Sequence, residues 1–165
     1  MKTITEHLSQ YASYHRNQKN IATHFVGIPM IVLAVVILLA RVTFELAGLP
    51  ISIATVLVII SSIYYIKLDL WLGYVLSLFL LFCLWISQDI AEASTTVWLS
   101  YGLGLFLIGW IFQFVGHYFE GRKPAFVDDI MGLMIGPLFV VAELAFKLGF
   151  RKELHKAIEA RLARK

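Results

Sequence analysis

The stretch Gly116-His117-Tyr118-Phe119-Glu120-Gly121-Arg122-Lys123-Pro124-Ala125 closes an apolar run, residues 97–119, that otherwise holds no charged side chain. A run of that length predicts a helix that crosses a bilayer. On such a helix His117 and Glu120, at i and i+3, share one face, and Gln113, four residues before His117, extends the stripe. Burying an imidazole and a carboxylate in an apolar helix is costly, so ionisable groups at membrane depth point to function and call for partners. The partners expected here are His15 and His24.

The composition supports the membrane reading. Hydrophobic residues make up 59% of the 165 residues and charged residues 15%, with a mean hydropathy of +0.79. Ordinary soluble domains run at about 45–50% apolar and about 25% charged. Cys83 is the single cysteine and lies in an apolar run, which excludes a disulfide framework and a cysteine metal site. The first apolar run begins only at Ile21, is long enough to span, and has no small-residue cleavage site after it, so a removable signal peptide is not expected. From Lys147 onward seven basic residues face two acidic ones, Glu153 and Glu159. Such a tail marks the cytoplasmic side and contacts anionic lipid. No nucleic-acid-binding module accompanies these charges.

The expected architecture is an all-α integral membrane protein forming a single membrane domain over residues 1–165. Residues 3–16 are expected to form an amphipathic helix on the membrane surface, with Ile4, Leu8, Tyr11 and His15 on one side. Asn17 and Asn20 break the chain, Asn20 serving as cap of the next helix. Spans follow at 21–40, with Pro29 as a kink, and at 51–66, 70–87 and 97–119, the third and fourth separated by an acidic loop, 88–96. Residues 126–149, interrupted by Gly136-Pro137, form a re-entrant or interfacial segment, or else a fifth span. Residues 150–165 are the basic tail. Lys2, Arg16, Lys19, Lys67, Arg122 and Lys123 put both termini in the cytoplasm. His15, His24, His117, Glu120, Asp128 and Asp129 then fall in one membrane layer. His15 and His24 are nine residues apart, about 13 Å along one straight helix and on opposite faces, so the chain must bend between them for the two to meet.

Three imidazoles and a carboxylate suit iron, zinc or manganese. Each residue also has an ordinary structural role open to it. His24 can bond a main-chain carbonyl, His15 can sit among headgroups, and Glu120 can pair with Arg122 or Lys123. Asn20 and Gln113 can orient the ligands from behind, or serve as a helix cap and an interhelical hydrogen bond. Asp128 and Asp129 can cap a helix or bind metal. His7 and His155 read as solvated, and Gly102, Gly104, Gly109 and Gly116 as packing positions.

The motif Tyr14-His15-Arg16-Asn17, followed by Asn20, His24, Gly27 and Pro29, stands with a second one from Gln113 through Gly116-His117 and Glu120 to Pro124-Ala125. Together they resemble the fungal 2-hydroxy fatty acid dioxygenase family and its small bacterial membrane homologues. The resemblance covers residues 11–129. It implies an Fe(II)-dependent enzyme of fatty acid alpha-oxidation, which turns a 2-hydroxy fatty acid and O2 into a fatty acid one carbon shorter and CO2. His15, His24 and His117 would be the iron ligands, with Glu120 as a fourth ligand or a catalytic base. Asn20, Gln113 and Asp128 would support them, and Arg122 or Lys123 would pair with the substrate carboxylate while the acyl tail lies between spans. The chain departs from the fungal motif at Arg16, where that motif carries a second histidine. Two rivals stand beside this reading: another membrane fatty acyl hydroxylase, though the usual HxxH clusters are missing, and a carrier or assembly factor without catalysis. The sequence does not set the oligomeric state.

Overall fold

Thr3 opens the first helix, α1 (Ile4–Ala12). Its hydroxyl accepts from the Glu6 N–H, and the Glu6 carboxylate accepts from the Thr3 N–H, a reciprocal cap. Leu8 and Tyr11 on the apolar side of α1 are buried, as their spacing predicts. The computed structural model describes residues 2–164. It continues with α2 (Gln18–Ala40), the strands β1 (Thr43–Leu46) and β2 (Leu49–Ser52), α3 (Ile53–Leu68), α4 (Leu70–Glu92) and α5 (Thr95–Glu120). A 3-10 turn (Ala125–Val127), α6 (Met131–Lys147) and α7 (Lys152–Leu162) complete it. The chain forms two compact units, one of Met1–Ile28 with Phe112–Lys165, the other of Pro29–Ile111.

Among the described residues three helices are long and apolar enough to cross a membrane, α2 and α4 with 23 residues each and α5 with 26, or four if the bent pair α6 and α7 counts as one span. At 1.5 Å per residue the two shorter ones reach about 34 Å, enough for a hydrocarbon core of about 30 Å. Leu78 and Trp85 on α4 are 67% and 68% exposed, a surface that suits lipid rather than water. The predicted span 51–66 starts late, at Ile53, and α3 has 16 residues. Its expected first residues instead pair in a hairpin with Thr43–Leu46, turning through Ala47 (φ 52) and Gly48 (φ 79). Two successive positive φ values suit a tight hairpin turn, and Gly48 adopts one without penalty. The expected acidic loop is shorter than 88–96, because α4 runs on through Asp89 to Glu92 and α5 starts at Thr95. In the same unit Asp69 caps α4 by accepting from Leu72 N–H at 3.0 Å, and the Trp98 indole N–H donates to the Ile37 carbonyl at 2.9 Å.

The other unit gathers α1, the start of α2, the end of α5, α6 and α7. The expected break at Gly136-Pro137 is absent, since α6 is continuous through both residues. Gly136 serves close packing: a Cβ there would lie 3.1 Å from both Tyr11 Oη and Ile28 Cδ1. The bend falls later, where α6 and α7 meet at 113° through Gly149 (φ 81) and Arg151 (φ 54).

Candidate metal centre

Three segments bring the imidazoles together. His15 follows α1 in the connecting loop, His24 lies in the second turn of α2, and His117 in the last turn of α5; all three are buried. The required bend is present, because α1 ends at Ala12 and α2 begins at Gln18. The ring centroids of His15, His24 and His117 lie 4.5, 5.0 and 5.1 Å apart in pairs. One nitrogen from each falls within 4.8 Å of the others, a group that can hold a metal ion.

The hydrogen bonds behind the rings settle which nitrogens face inward. His15 Nδ1 lies 2.8 Å from the Tyr11 carbonyl and His24 Nδ1 lies 2.9 Å from the Asn20 carbonyl. A carbonyl only accepts, so both Nδ1 atoms carry hydrogen. In the neutral rings each Nε2 then presents a bare lone pair, and these two atoms face each other at 3.0 Å. Facing lone pairs repel unless a cation or a proton lies between them. Burial pushes the His15 imidazole down to about 4, so near neutral pH a proton is a poor occupant. Nitrogens that share one ion at about 2.1 Å stand about 3 Å apart at a right angle, close to the spacing seen. His117 Nδ1 is buried and has no hydrogen-bond partner among protein atoms, as a ligand atom would require. The residues fit a divalent ion with affinity for imidazole. Tyr11 stacks on His15 at 4.1 Å and Phe139 lies 5.5 Å from it. These rings fix the imidazole and exclude water.

Glu120 is outside this group. Its Oε1 accepts from the Arg16 N–H at 3.0 Å, and its Oε2 accepts from the Asn17 N–H and the Asn20 side-chain amide, both at 2.9 Å. One carboxylate on α5 thus clamps the loop between His15 and His24. Asn20 lies inside α2 and is not its cap, which corrects the expectation: its carbonyl orients His24 and its amide binds Glu120. Asn20 Oδ1 and Gln113 Nε2 are buried without partners. Gly116 makes the approach of α5 to this turn possible, because a Cβ there would meet Thr23 Oγ1 at 2.1 Å and Asn20 Oδ1 at 2.4 Å.

The remaining residues have other partners. Asp128 accepts from Tyr14 Oη at 2.8 Å and pairs with Lys123, while Asp129 accepts from the Met131 N–H at the start of α6. Arg122 donates to the Ser13 carbonyl at 3.0 Å. Arg16 faces Glu159 at 2.8 Å and is not in the imidazole group. His7 is buried, not solvated, and His155 stacks on Phe146 at 4.5 Å. The carbonyl bond of His24 is as expected; the contributions that sequence reasoning missed are the Tyr11 carbonyl behind His15 and the Tyr11 and Phe139 rings beside it. The only signal for that carbonyl is the four-residue spacing Tyr11–His15, repeated in Asn20–His24.

Residues 1–148 match the Mpo1-like family, described as 2-hydroxy-palmitic acid dioxygenase Mpo1-like. The chain belongs to the Mpo1-like family. It is 35% identical over 158 residues to the 2-hydroxy-palmitic acid dioxygenase MPO1 of Saccharomyces cerevisiae, an alignment covering 94% of this chain and 87% of the yeast protein. No solved structure matches it. The Mpo1-like match contains all three imidazoles and Glu120, and α7 lies beyond it.

Proposed function

We propose that this chain is an Fe(II)-dependent dioxygenase of fatty acid alpha-oxidation, acting on a 2-hydroxy fatty acid. The observation that carries the reading is the pair of facing Nε2 atoms, 3.0 Å apart, whose rings are held by main-chain carbonyls. Membership of a family described as 2-hydroxy-palmitic acid dioxygenase-like supports a reaction of this class. It balances as R–CH(OH)–COOH + O2 → R–COOH + CO2 + H2O. The bond between C1 and C2 breaks, C1 gives up one electron and C2 three, and these four reduce dioxygen completely. No external reductant is required, which separates this reaction from a fatty acyl hydroxylation.

His15, His24 and His117 would hold the iron, which supplies dioxygen activation when bound. The Tyr11 and Asn20 carbonyls keep His15 and His24 in the ligating tautomer, and such supporting contacts raise the basicity of the ligands. Glu120 fixes the loop that carries His15. The three rings lie at one end of two apolar helices, so a substrate with a polar head and an apolar tail meets both environments there. The basic residues near this end support a place at the cytoplasmic face with both termini inside, and the resemblance to small bacterial homologues supports a bacterial inner membrane.

The test is anaerobic reconstitution with Fe(II), followed by addition of 2-hydroxypalmitic acid and O2 and mass spectrometry of the products. One-carbon-shorter acid, formed with one O2 consumed per substrate and no added reductant, is expected. Recovery of unshortened acid alone from iron-loaded protein would overturn the reading.

A further inference from the structure

A cavity of about 150 Å³ opens beside the metal group, with His15 on its wall. Next to His15 in sequence, Arg16 lines the same wall, with Glu143, His155, Glu159 and the apolar ring of Phe139 nearby. Arg16 is the wall's permanent cation. Its guanidinium binds Glu159 of α7 through two contacts, Nη1 to Oε1 at 2.8 Å and Nη2 to Oε2 at 3.2 Å. This is the planar two-point geometry by which arginine recognises a carboxylate.

Resting on the function proposed above, we propose that this cavity receives the head of the 2-hydroxy acid, and that Arg16 takes the substrate carboxylate in exchange for Glu159. Glu159 stands in for that carboxylate in the resting protein. The exchange is inexpensive, because the Arg16 and Glu159 side chains are 55% and 46% exposed, and ion pairs at such sites contribute little to stability. Holding C1 at Arg16, adjacent in the chain to His15, sets the hydroxyl-bearing C2 beside the metal group. The alternatives from the sequence are less well placed: Arg122 and Lys123 do not line this cavity and already bind Ser13 and Asp128. Glu159 also lies beyond the family match, which ends at residue 148. The Arg16–Glu159 gate therefore joins a residue inside the family match to one on α7 beyond it.

Equilibrium binding of radiolabelled 2-hydroxypalmitic acid and of its methyl ester to iron-loaded protein without O2 tests this. Arg16→Gln is expected to weaken binding of the acid about tenfold, the loss of one charge-assisted contact, and to leave the ester unchanged. Glu159→Gln is expected to tighten binding of the acid several-fold, a direction that damage to the fold does not produce. Under turnover Arg16→Gln is expected to raise KM and, because C2 is no longer held beside the metal group, to lower kcat, with bound iron unchanged in both variants. Equal acid affinity in wild type and both variants overturns the gate while leaving the dioxygenase reading intact. An iron-loaded wild type that neither binds nor consumes the acid overturns both.

Discussion

The chemistry of His15 and His24 is decided by what stands behind them. Each ring gives its Nδ1 hydrogen to a carbonyl four residues earlier, so the ligating face is set by helical spacing as well as by ring packing. Glu120 then fixes the loop between them through three hydrogen bonds. Glu120→Ala is expected to cost about 1.5–3 kcal/mol of stability, as loss of bonds to a charged acceptor does. It should weaken metal binding about 10- to 100-fold; denaturant titration and metal titration of the same preparation check the two effects separately. His15 also predicts a pH dependence for metal-free protein. Burial places its folded value at about 4, below the ordinary 6.5, so the unfolded chain takes up the proton first. The His15 contribution to stability is full above about pH 6.5 and is lost as pH falls from there toward 4. Denaturation midpoints of metal-free protein at pH 7 and pH 5 should differ in that sense, and a His15→Asn variant should show a smaller difference.

At the scale of elements, the close approach of α5 to α2 depends on one missing side chain. Gly116→Ala would drive a methyl group against Thr23 Oγ1 and Asn20 Oδ1, and Asn20 cannot retreat while its amide is held by Glu120. The variant is expected to lose about 1–3 kcal/mol, the usual cost of overpacking, together with metal affinity. Gly104→Ala meets nothing within 4 Å and should be neutral or gain about 0.5–1 kcal/mol from helix propensity. Thermal unfolding of the pair of variants checks the contrast. The long apolar runs that became α2, α4 and α5 were legible because runs of that length and hydropathy favour a continuous helix long enough to cross a membrane. Element ends were less so. The hairpin that displaced the start of α3 depends on pairing between 43–46 and 49–52, which no local propensity announces. Pro137 looked like a breaker but sits within α6, where neighbouring helices tolerate a missing N–H. The imidazole trio was legible from residue type and position. Glu120 was found for its place, one turn after His117, but its main-chain partners at Arg16 and Asn17 belong to a loop conformation that spacing does not disclose.

At the scale of the whole molecule, all three imidazoles belong to the unit of Met1–Ile28 and Phe112–Lys165, and none to Pro29–Ile111. A ligand that binds only the folded form stabilises what it touches by RT ln(1 + [L]/Kd), about 2.7 kcal/mol at a hundredfold excess over Kd. The parts it joins here are the loop after α1, the second turn of α2 and the last turn of α5, segments already tied to one another by the hydrogen bonds of Glu120. Unlike the metal group, α3 and α4 are held by apolar packing around Gly73, where the backbones approach so closely that a Cβ would lie 2.5 Å from the Tyr65 carbonyl. Adding Fe(II) without oxygen should therefore slow amide exchange over residues 13–28 and 112–121 by an amount that tracks the metal affinity. Exchange in α3 and α4 should stay as it was. A chelator should reverse the protection, and His117→Ala should abolish it without disturbing exchange in Pro29–Ile111. Protection that rises equally in α3 and α4 would mean that the ion is held elsewhere or that the two units open as one, and either result would contradict a site carried by a single unit.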